Sequence, residues 1–151
     1  MSARRTAAIL TAAAAVVGSL GTKPQSPWYR SLDRPTWEPP GVAFPLVWTP
    51  LYGLIAWSTG RAAEADEDGR AAYLALTSAD LAVNAGWCWQ FFTRESTGGG
   101  LATILALDAL NLALLAETAK RDRRAALALA PYVVWTGFAT ALNASIWRRN
   151  R

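Results

Sequence analysis

The sequence contains no histidine and a single cysteine, Cys88. The absence of histidine removes the commonest general base, the commonest metal ligand and the usual axial ligand of haem. One cysteine allows no disulfide within the chain and no site built on paired cysteines. We therefore expect a protein that holds no metal and requires no cofactor.

Charged residues are also scarce. They make up 17% of the chain and hydrophobic residues 52%, against roughly 25% and 45–50% in ordinary soluble domains. The basic residues cluster at the ends of apolar runs, at 4–5, 61–70, 120–124 and 148–151. Lys and Arg flank membrane helices in this way, whereas a nucleic-acid site needs a basic face. The pattern predicts a lipid bilayer as partner and no nucleic acid, and it leaves the membrane orientation open.

Apolar sequence falls into five segments, and each is close to the roughly 20 residues that cross a hydrocarbon core. The first, preceded by Arg4 and Arg5, could alternatively be a signal peptide, but the four segments after it favour a first membrane helix. We predict one all-α domain over residues 1–151, an integral membrane bundle of five transmembrane helices with short connections. The predicted helices span approximately 6–22, 44–60, 71–92, 101–119 and 125–147.

The stretch from Trp28 to Tyr52 is rich in proline and tryptophan. Proline lacks a backbone donor and clashes with the preceding helical turn, so the stretch is predicted not to form a helix interior. Its Trp and Tyr rings are of the kind that concentrate at membrane–water interfaces. We predict a semi-rigid aromatic lid loop between the first and second membrane helices.

Several polar side chains fall inside the predicted helices. Asp80 and Asn84 share one helix face, Asp108 and Asn111 share another, and Asn143 lies in the last segment. They either line a shared interior or hydrogen-bond neighbouring helices and set their packing.

Small residues form a stripe along the third segment. Such a stripe permits close helix contact, either within the bundle or between two copies of the chain. A homodimer through this face is therefore expected as one of the two outcomes. The stripe consists of Ala71, Ala75, Ala79, Ala82 and Gly86.

Trp135 lies near the middle of the last segment, too deep for an aromatic belt at the membrane surface. Ala139 follows one helical turn later on the same face. A deep indole beside a small side chain leaves room for a flat ligand to stack.

Three sequence blocks resemble the translocator protein family, also called the TspO/MBR or peripheral-type benzodiazepine receptor family. They are WYxxLxxPxWxPP followed by FxxVWxxLY over 28–52, the Asn-Trp-Phe-Phe pattern over 84–92, and PYxxWxxFAxxLN over 131–143. Two departures stand out, because Leu46 occupies a position where the family usually has proline and Asp80 one where glutamine is common. No tyrosine occurs in the run from Leu142 to Arg148, which lowers the expectation of sterol binding.

The resemblance implies a pocket beneath the first loop that binds tetrapyrroles such as protoporphyrin IX. Arg30 and Arg34 would meet the porphyrin carboxylates. In some bacterial members, light-dependent breakdown of protoporphyrin is attributed to two tryptophans that correspond to Trp48 and Trp135. The implied ligand-binding residues are Tyr29, Trp37, Trp48, Tyr52, Asn84, Trp87, Trp135, Phe138, Ala139, Leu142 and Asn143.

We therefore predict a membrane tetrapyrrole-binding protein that senses or buffers the porphyrin level. Two alternatives stay open: a light-dependent porphyrin-degrading enzyme in which Trp48 and Trp135 are catalytic, and a translocator that moves porphyrin or another small molecule across the bilayer. The Ala- and Arg-rich composition suggests a bacterial source. Together with the five apolar segments, it leads us to expect a multi-pass protein of a bacterial cell membrane.

Overall fold

A computed structural model describes all residues, 1–151, and contains six α-helices and no strand. The all-α prediction is confirmed. The helix count differs from five, because the Trp/Pro stretch contributes a short helix of its own, α2 (Pro27–Ser31). A π-helical turn, Trp89–Thr93, continues α4. The five long helices are α1 (Ala3–Gly21), α3 (Ala43–Ala65), α4 (Arg70–Cys88), α5 (Thr97–Arg121) and α6 (Arg123–Arg149).

Side-chain caps fix where three of the long helices begin. Ser2, Ser96 and Asp122 each accept a hydrogen bond from a backbone N–H three residues later, at 3.3, 2.9 and 3.0 Å. These bonds satisfy donors that the first helical turn leaves without partners. Because Ser96 caps α5, the run Gly98–Gly100 lies inside the helix, and α5 begins before the predicted residue 101.

Helix α3 overlaps the predicted second helix at 44–60, and it corrects the prediction that the Trp/Pro stretch does not form a helix interior. It begins at Ala43 and includes Pro45 and Pro50. Pro45 occupies the first turn, where its missing N–H costs no intrahelical bond. Pro50 lies in the interior, a position that membrane helices tolerate when neighbouring groups satisfy the released carbonyl. The helix also continues past the predicted residue 60 to Ala65, because Arg, Ala and Glu are strong helix formers.

The five long helices close a ring in the order α1–α3–α6–α5–α4. Each packs against its two ring neighbours, whereas α3 and α4 touch only weakly although they are adjacent in the chain. The polar side chains of Asp80, Asn84, Asn111 and Asn143 all lie buried inside this ring. The interior is therefore partly polar, and the polar groups come from α4, α5 and α6.

The two ends of the ring are packed differently. At the end where α1 begins and α3 finishes, a continuous core forms around Ile55, Tyr73, Leu114, Leu129 and Tyr132. At the other end a smaller cluster of Phe91, Phe92, Leu142 and Ile146 faces the connection between α1 and α3, residues 22–42, which we call the α1–α3 connection. A cavity lies at this second end, next to the α1–α3 connection.

Two helices, α5 and α6, are long and apolar enough to cross a membrane by length and composition. Large apolar side chains point outward from the ring, including Val16 and Leu20 on α1, Leu112 on α5 and Val134 on α6. Exposed apolar side chains of this kind suit contact with lipid. Whether α1, α3 and α4 also cross the bilayer remains a prediction.

Candidate ligand-binding site

A cavity of about 640 Å³ occupies the half of the bundle next to the α1–α3 connection. This volume lies within the roughly 300–1,000 Å³ of small-molecule sites. All five long helices and the α1–α3 connection contribute to its lining. The walls combine apolar and aromatic side chains with polar and charged ones, and the charged ones come from the α1–α3 connection.

The structure brings most of the predicted ligand-binding residues together at this cavity. Those that line it are Tyr29, Trp48, Tyr52, Asn84, Trp87, Trp135, Ala139, Leu142 and Asn143.

Trp37 and Phe138 lie outside the cavity. Phe138 faces an apolar groove on the outer surface between α3 and α6, a groove that Trp135 also lines. Trp37 packs edge-on against Phe138, with ring centroids 5.9 Å apart, and is 48% exposed. Helical geometry explains this, because at 3.6 residues per turn Phe138 lies about 60° around α6 from Trp135, on the side away from the cavity residue Ala139.

Aromatic pairs hold the rings of the cavity walls in place. Trp48 packs against Tyr52 with centroids 5.3 Å apart, and Phe44 meets Trp135 edge-on at 6.0 Å. Across the cavity, Trp87 stacks on Phe91 at 5.0 Å. Such contacts fix ring orientation beyond what burial alone requires. The result is a preformed aromatic space suited to a flat apolar ligand.

Polar groups in the walls are mostly paired within the protein. Asn143 accepts a hydrogen bond from Trp87 Nε1 and donates one to the Thr97 carbonyl, both at 2.9 Å. Asn84 donates from Nδ2 to the Tyr132 hydroxyl oxygen at 2.8 Å. These bonds lock the side chains at the ends of α4 and α6 in single orientations.

The α1–α3 connection lines one end of the cavity with a charged cluster. The Tyr29 hydroxyl donates to Glu38 at 2.6 Å, and Arg34 pairs with Glu38 at 3.2 Å while lying 4.8 Å above the Tyr29 ring. Burial, and then Glu38, raise the pKa of Tyr29 to about 12, so its hydroxyl stays protonated. Arg30 also lines the cavity and hydrogen-bonds Gln25. With two arginines and one glutamate, this end carries a net positive charge.

Sequence reasoning missed several lining residues. Ile104 and Leu107 of α5 gave no signal, because apolar residues occur on every face of that helix. Phe91 and Phe92 were visible in a family motif but were not assigned to the site. Glu38 could have been found from the sequence as an acidic side chain inside the apolar, tryptophan- and proline-rich stretch.

Comparison with known proteins settles the family. The model of the TspO/MBR family matches residues 6–148, nearly the whole chain. The chain belongs to the TspO/MBR family. The resemblance seen in the sequence is thereby confirmed, and with it membership of a family of membrane proteins.

Relatives of this TspO/MBR protein include bacterial and animal proteins. It is 35% identical over 138 residues to the tryptophan-rich sensory protein of Cereibacter sphaeroides, covering 91% of this chain and 85% of the relative. It is 34% identical over 125 residues to protein CrtK of Rhodobacter capsulatus, covering 82% and 78%. It is 29% identical over 126 residues to the human translocator protein, covering 82% and 75%.

Proposed function

We propose that this TspO/MBR protein crosses the membrane with its five long helices and binds a tetrapyrrole in the cavity as a sensor or buffer of its level. Protoporphyrin IX is the ligand to test first. A bacterial cell membrane is the proposed location, in keeping with its bacterial relatives. The names of two relatives, a tryptophan-rich sensory protein and a translocator protein, are consistent with a membrane sensor or transport role.

The observation that carries the proposal is that the cavity occupies only one half of the bundle. Its lining on α3 reaches Tyr52, on α5 Leu107 and on α6 Trp135. Beyond these residues the interior is filled by the core around Ile55 and Leu129, both fully buried. A cavity closed at one end supports ligand retention, whereas a transport path would have to continue through that core.

The chemistry of the walls matches a flat ligand with an anionic edge. The aromatic and aliphatic lining can bury a macrocycle by stacking and apolar contact. Arg30 and Arg34 line the end next to the α1–α3 connection, where they can form charge-assisted hydrogen bonds to carboxylates. We therefore orient the ligand with its carboxylates toward the α1–α3 connection.

The test is a titration of the purified protein in detergent with protoporphyrin IX, followed by tryptophan fluorescence in the dark. We expect saturable and reversible quenching. The fluorescence lost on porphyrin binding should be smaller in Trp48→Phe and in Trp135→Phe than in the control Trp57→Phe, because Trp57 lies outside the cavity. Equal losses in all three variants would place the porphyrin elsewhere and contradict the proposal.

The same titration under light tests a second candidate, an enzyme that degrades porphyrin. The observation that favours it is that Trp48 and Trp135, the two tryptophans implied in light-dependent breakdown, both line the cavity. A new absorbing product that forms only in light, and not in Trp48→Phe or Trp135→Phe, would make the enzyme the better description. Porphyrin uptake into sealed vesicles above that of empty liposomes would instead support translocation.

A further inference from the structure

Three buried polar side chains form a chain of hydrogen bonds beside the cavity. Asp80 and Asn84 lie one turn apart on α4, and Tyr132 reaches between them from α6. Asn84 Nδ2 donates to the Tyr132 oxygen at 2.8 Å, and the Tyr132 hydroxyl donates to Asp80 Oδ1 at 2.8 Å. Asp80 and Tyr132 are fully buried, and Asn84 is 4% exposed.

The direction of this chain is set by Asp80. A tyrosine hydroxyl has one proton, and a carboxyl oxygen that carries none can only accept. Oδ1 of Asp80 has this character in the structure, where the Tyr132 hydroxyl donates to it. Once the proton of Tyr132 points at Asp80, the Tyr132 oxygen can only accept from Asn84. The amide NH₂ of Asn84 must therefore face Tyr132.

The carbonyl oxygen of Asn84 is left over. It forms no hydrogen bond within the chain, and Asn84 is one of the residues that line the cavity. Asn143, the other asparagine in the lining, has partners for both ends of its amide. Asn84 is thus the asparagine with a hydrogen-bond acceptor to spare for a ligand.

We propose that Asp80 is a specificity-determining positioning residue: through Tyr132 it turns the Asn84 carbonyl toward the cavity, which then prefers ligands with a neutral O–H or N–H donor on the side facing α4. This inference rests on the proposed function, since it requires the cavity to bind a ligand. The class it selects is a flat aromatic molecule with anionic groups near the α1–α3 connection and a neutral donor at α4.

The second oxygen of Asp80 supports a role beyond packing. Asp80 Oδ2 is buried and has no hydrogen-bond partner. Burying a polar atom without a partner opposes folding, and an apolar residue would avoid that penalty. The Asp80 carboxyl group therefore lowers the stability of the fold. Orienting Tyr132 and Asn84 is a function that explains its presence.

The experiment compares two probes that differ only in the donor, a polycyclic aromatic phenol and its methyl ether. Their dissociation constants are measured by tryptophan quenching in detergent. The wild-type protein should bind the phenol about 3- to 10-fold more tightly, the amount expected for one hydrogen bond. In Asp80→Leu and in Tyr132→Phe the ratio of the two constants should fall to about one, because Asn84 is no longer oriented.

Asp108→Asn is the matched control, because Asp108 lies on α5, bonds Thr140 at 2.6 Å and does not line the cavity. Its ratio should equal that of the wild type. Tyr132→Phe keeps the buried ring, so it provides the decisive ratio if Asp80→Leu does not fold. A wild type that fails to discriminate, or variants that keep the preference, would overturn the inference.

Failure of the inference can be told apart from failure of the proposed function. If protoporphyrin IX saturates the protein but the phenol and its ether bind equally or not at all, the inference is wrong and the proposed site stands. If neither the porphyrin nor the probes bind, both are wrong.

Discussion

Asn150, at the end of α6, holds the backbone of Asp33 with two hydrogen bonds. Its Oδ1 accepts from the Asp33 N–H and its Nδ2 donates to the Asp33 carbonyl, both at 2.9 Å. Arg149 adds an ion pair to the Asp33 carboxylate at 3.6 Å. The α1–α3 connection is thus fastened to the far end of the chain beside the cavity.

Removing this attachment should make ligand release faster. In Asn150→Ala we expect the dissociation rate of protoporphyrin IX to rise about 5- to 100-fold, since two bonds to Asp33 are lost and each is worth about 0.5–1.5 kcal/mol. Stopped-flow displacement measures the rate. Arg151→Ala is the control, because Arg151 packs over Trp147 and not on the connection. An unchanged rate would mean that the connection does not control release.

Filling the cavity should weaken binding without unfolding the protein. Ala139 lines the cavity, and Ala139→Leu places extra atoms where the ligand would lie. We expect the dissociation constant for protoporphyrin IX to rise roughly 10- to 100-fold, in line with overpacking costs of about 1–3 kcal/mol. Gly137→Leu is the control, because nothing lies within 4 Å of a Cβ at Gly137. Equal effects of the two variants would contradict the proposed site.

Motif spacing predicted which helices carry the cavity residues but not which way every side chain faces. Trp48 and Trp135 were placed from the sequence, and both line the cavity. Phe138 belongs to the same motif as Trp135. It lies about 60° around α6 from Trp135, and this difference in direction places it in the outer groove. Where apolar residues occur on every face of a helix, the spacing of apolar residues does not distinguish the interior face from the lipid-facing one.

Hydrogen bonds between residues far apart in the chain could not be predicted from the sequence. The orientation of Asn84 depends on Tyr132, 48 residues away, and the attachment of Asp33 depends on Asn150, 117 residues away. Nothing local in the sequence encodes those pairs. Helix α3, by contrast, includes Pro50 as the predicted segment 44–60 did, although proline has a strong intrinsic preference against helix.

Gly100 permits the close approach of α5 to the aromatic cluster. A Cβ at this position would lie 2.8 Å from Phe91 Cδ2 and 3.0 Å from Asn143 Oδ1. Both neighbours are buried and have little room to move. We expect Gly100→Ala to lower the free energy of unfolding by about 1–3 kcal/mol.

Thermal unfolding in detergent measures this loss, with Gly86→Ala as the matched control. A Cβ at Gly86 would meet nothing within 4 Å, so the better helix propensity of alanine should leave that variant as stable as the wild type or more so. Equal melting temperatures for wild type and Gly100→Ala would show that α5 can shift to accept the methyl group.

Asp122 should make stability depend on pH at the opposite end of the bundle. The backbone N–H of Ala125 and the Arg61 guanidinium hold the pKa of Asp122 below its usual 3.8. A lowered pKa means that the ionised carboxylate favours the folded state. Its contribution is therefore present above the ordinary pKa and is lost as the pH falls through the lowered value.

The melting temperature of Asp122→Ala should lie below that of the wild type at pH 7, and the gap should shrink as the pH is taken below about 4. Asp122→Asn, which can still cap α6 but has no charge, should fall between them at pH 7. A gap that stays constant down to pH 3 would contradict the assignment of this effect to the carboxylate.

The small-residue stripe on α4 lies on the outer surface of the bundle and leads to a prediction about assembly. Ala71, Ala75, Ala79 and Ala82 are exposed, and a Cβ at Gly86 would meet open space. A second copy could approach this face closely, as small residues allow in membrane helix pairs.

We expect Ala79→Leu to weaken a homodimer about 10-fold, measured by light scattering and cross-linking in detergent across a concentration series. Ala141→Leu, on the exposed side of α6, which is not a ring neighbour of α4, should leave the dimer unchanged. A monomeric wild type at all concentrations, or equal effects of the two variants, would show that the stripe faces lipid alone.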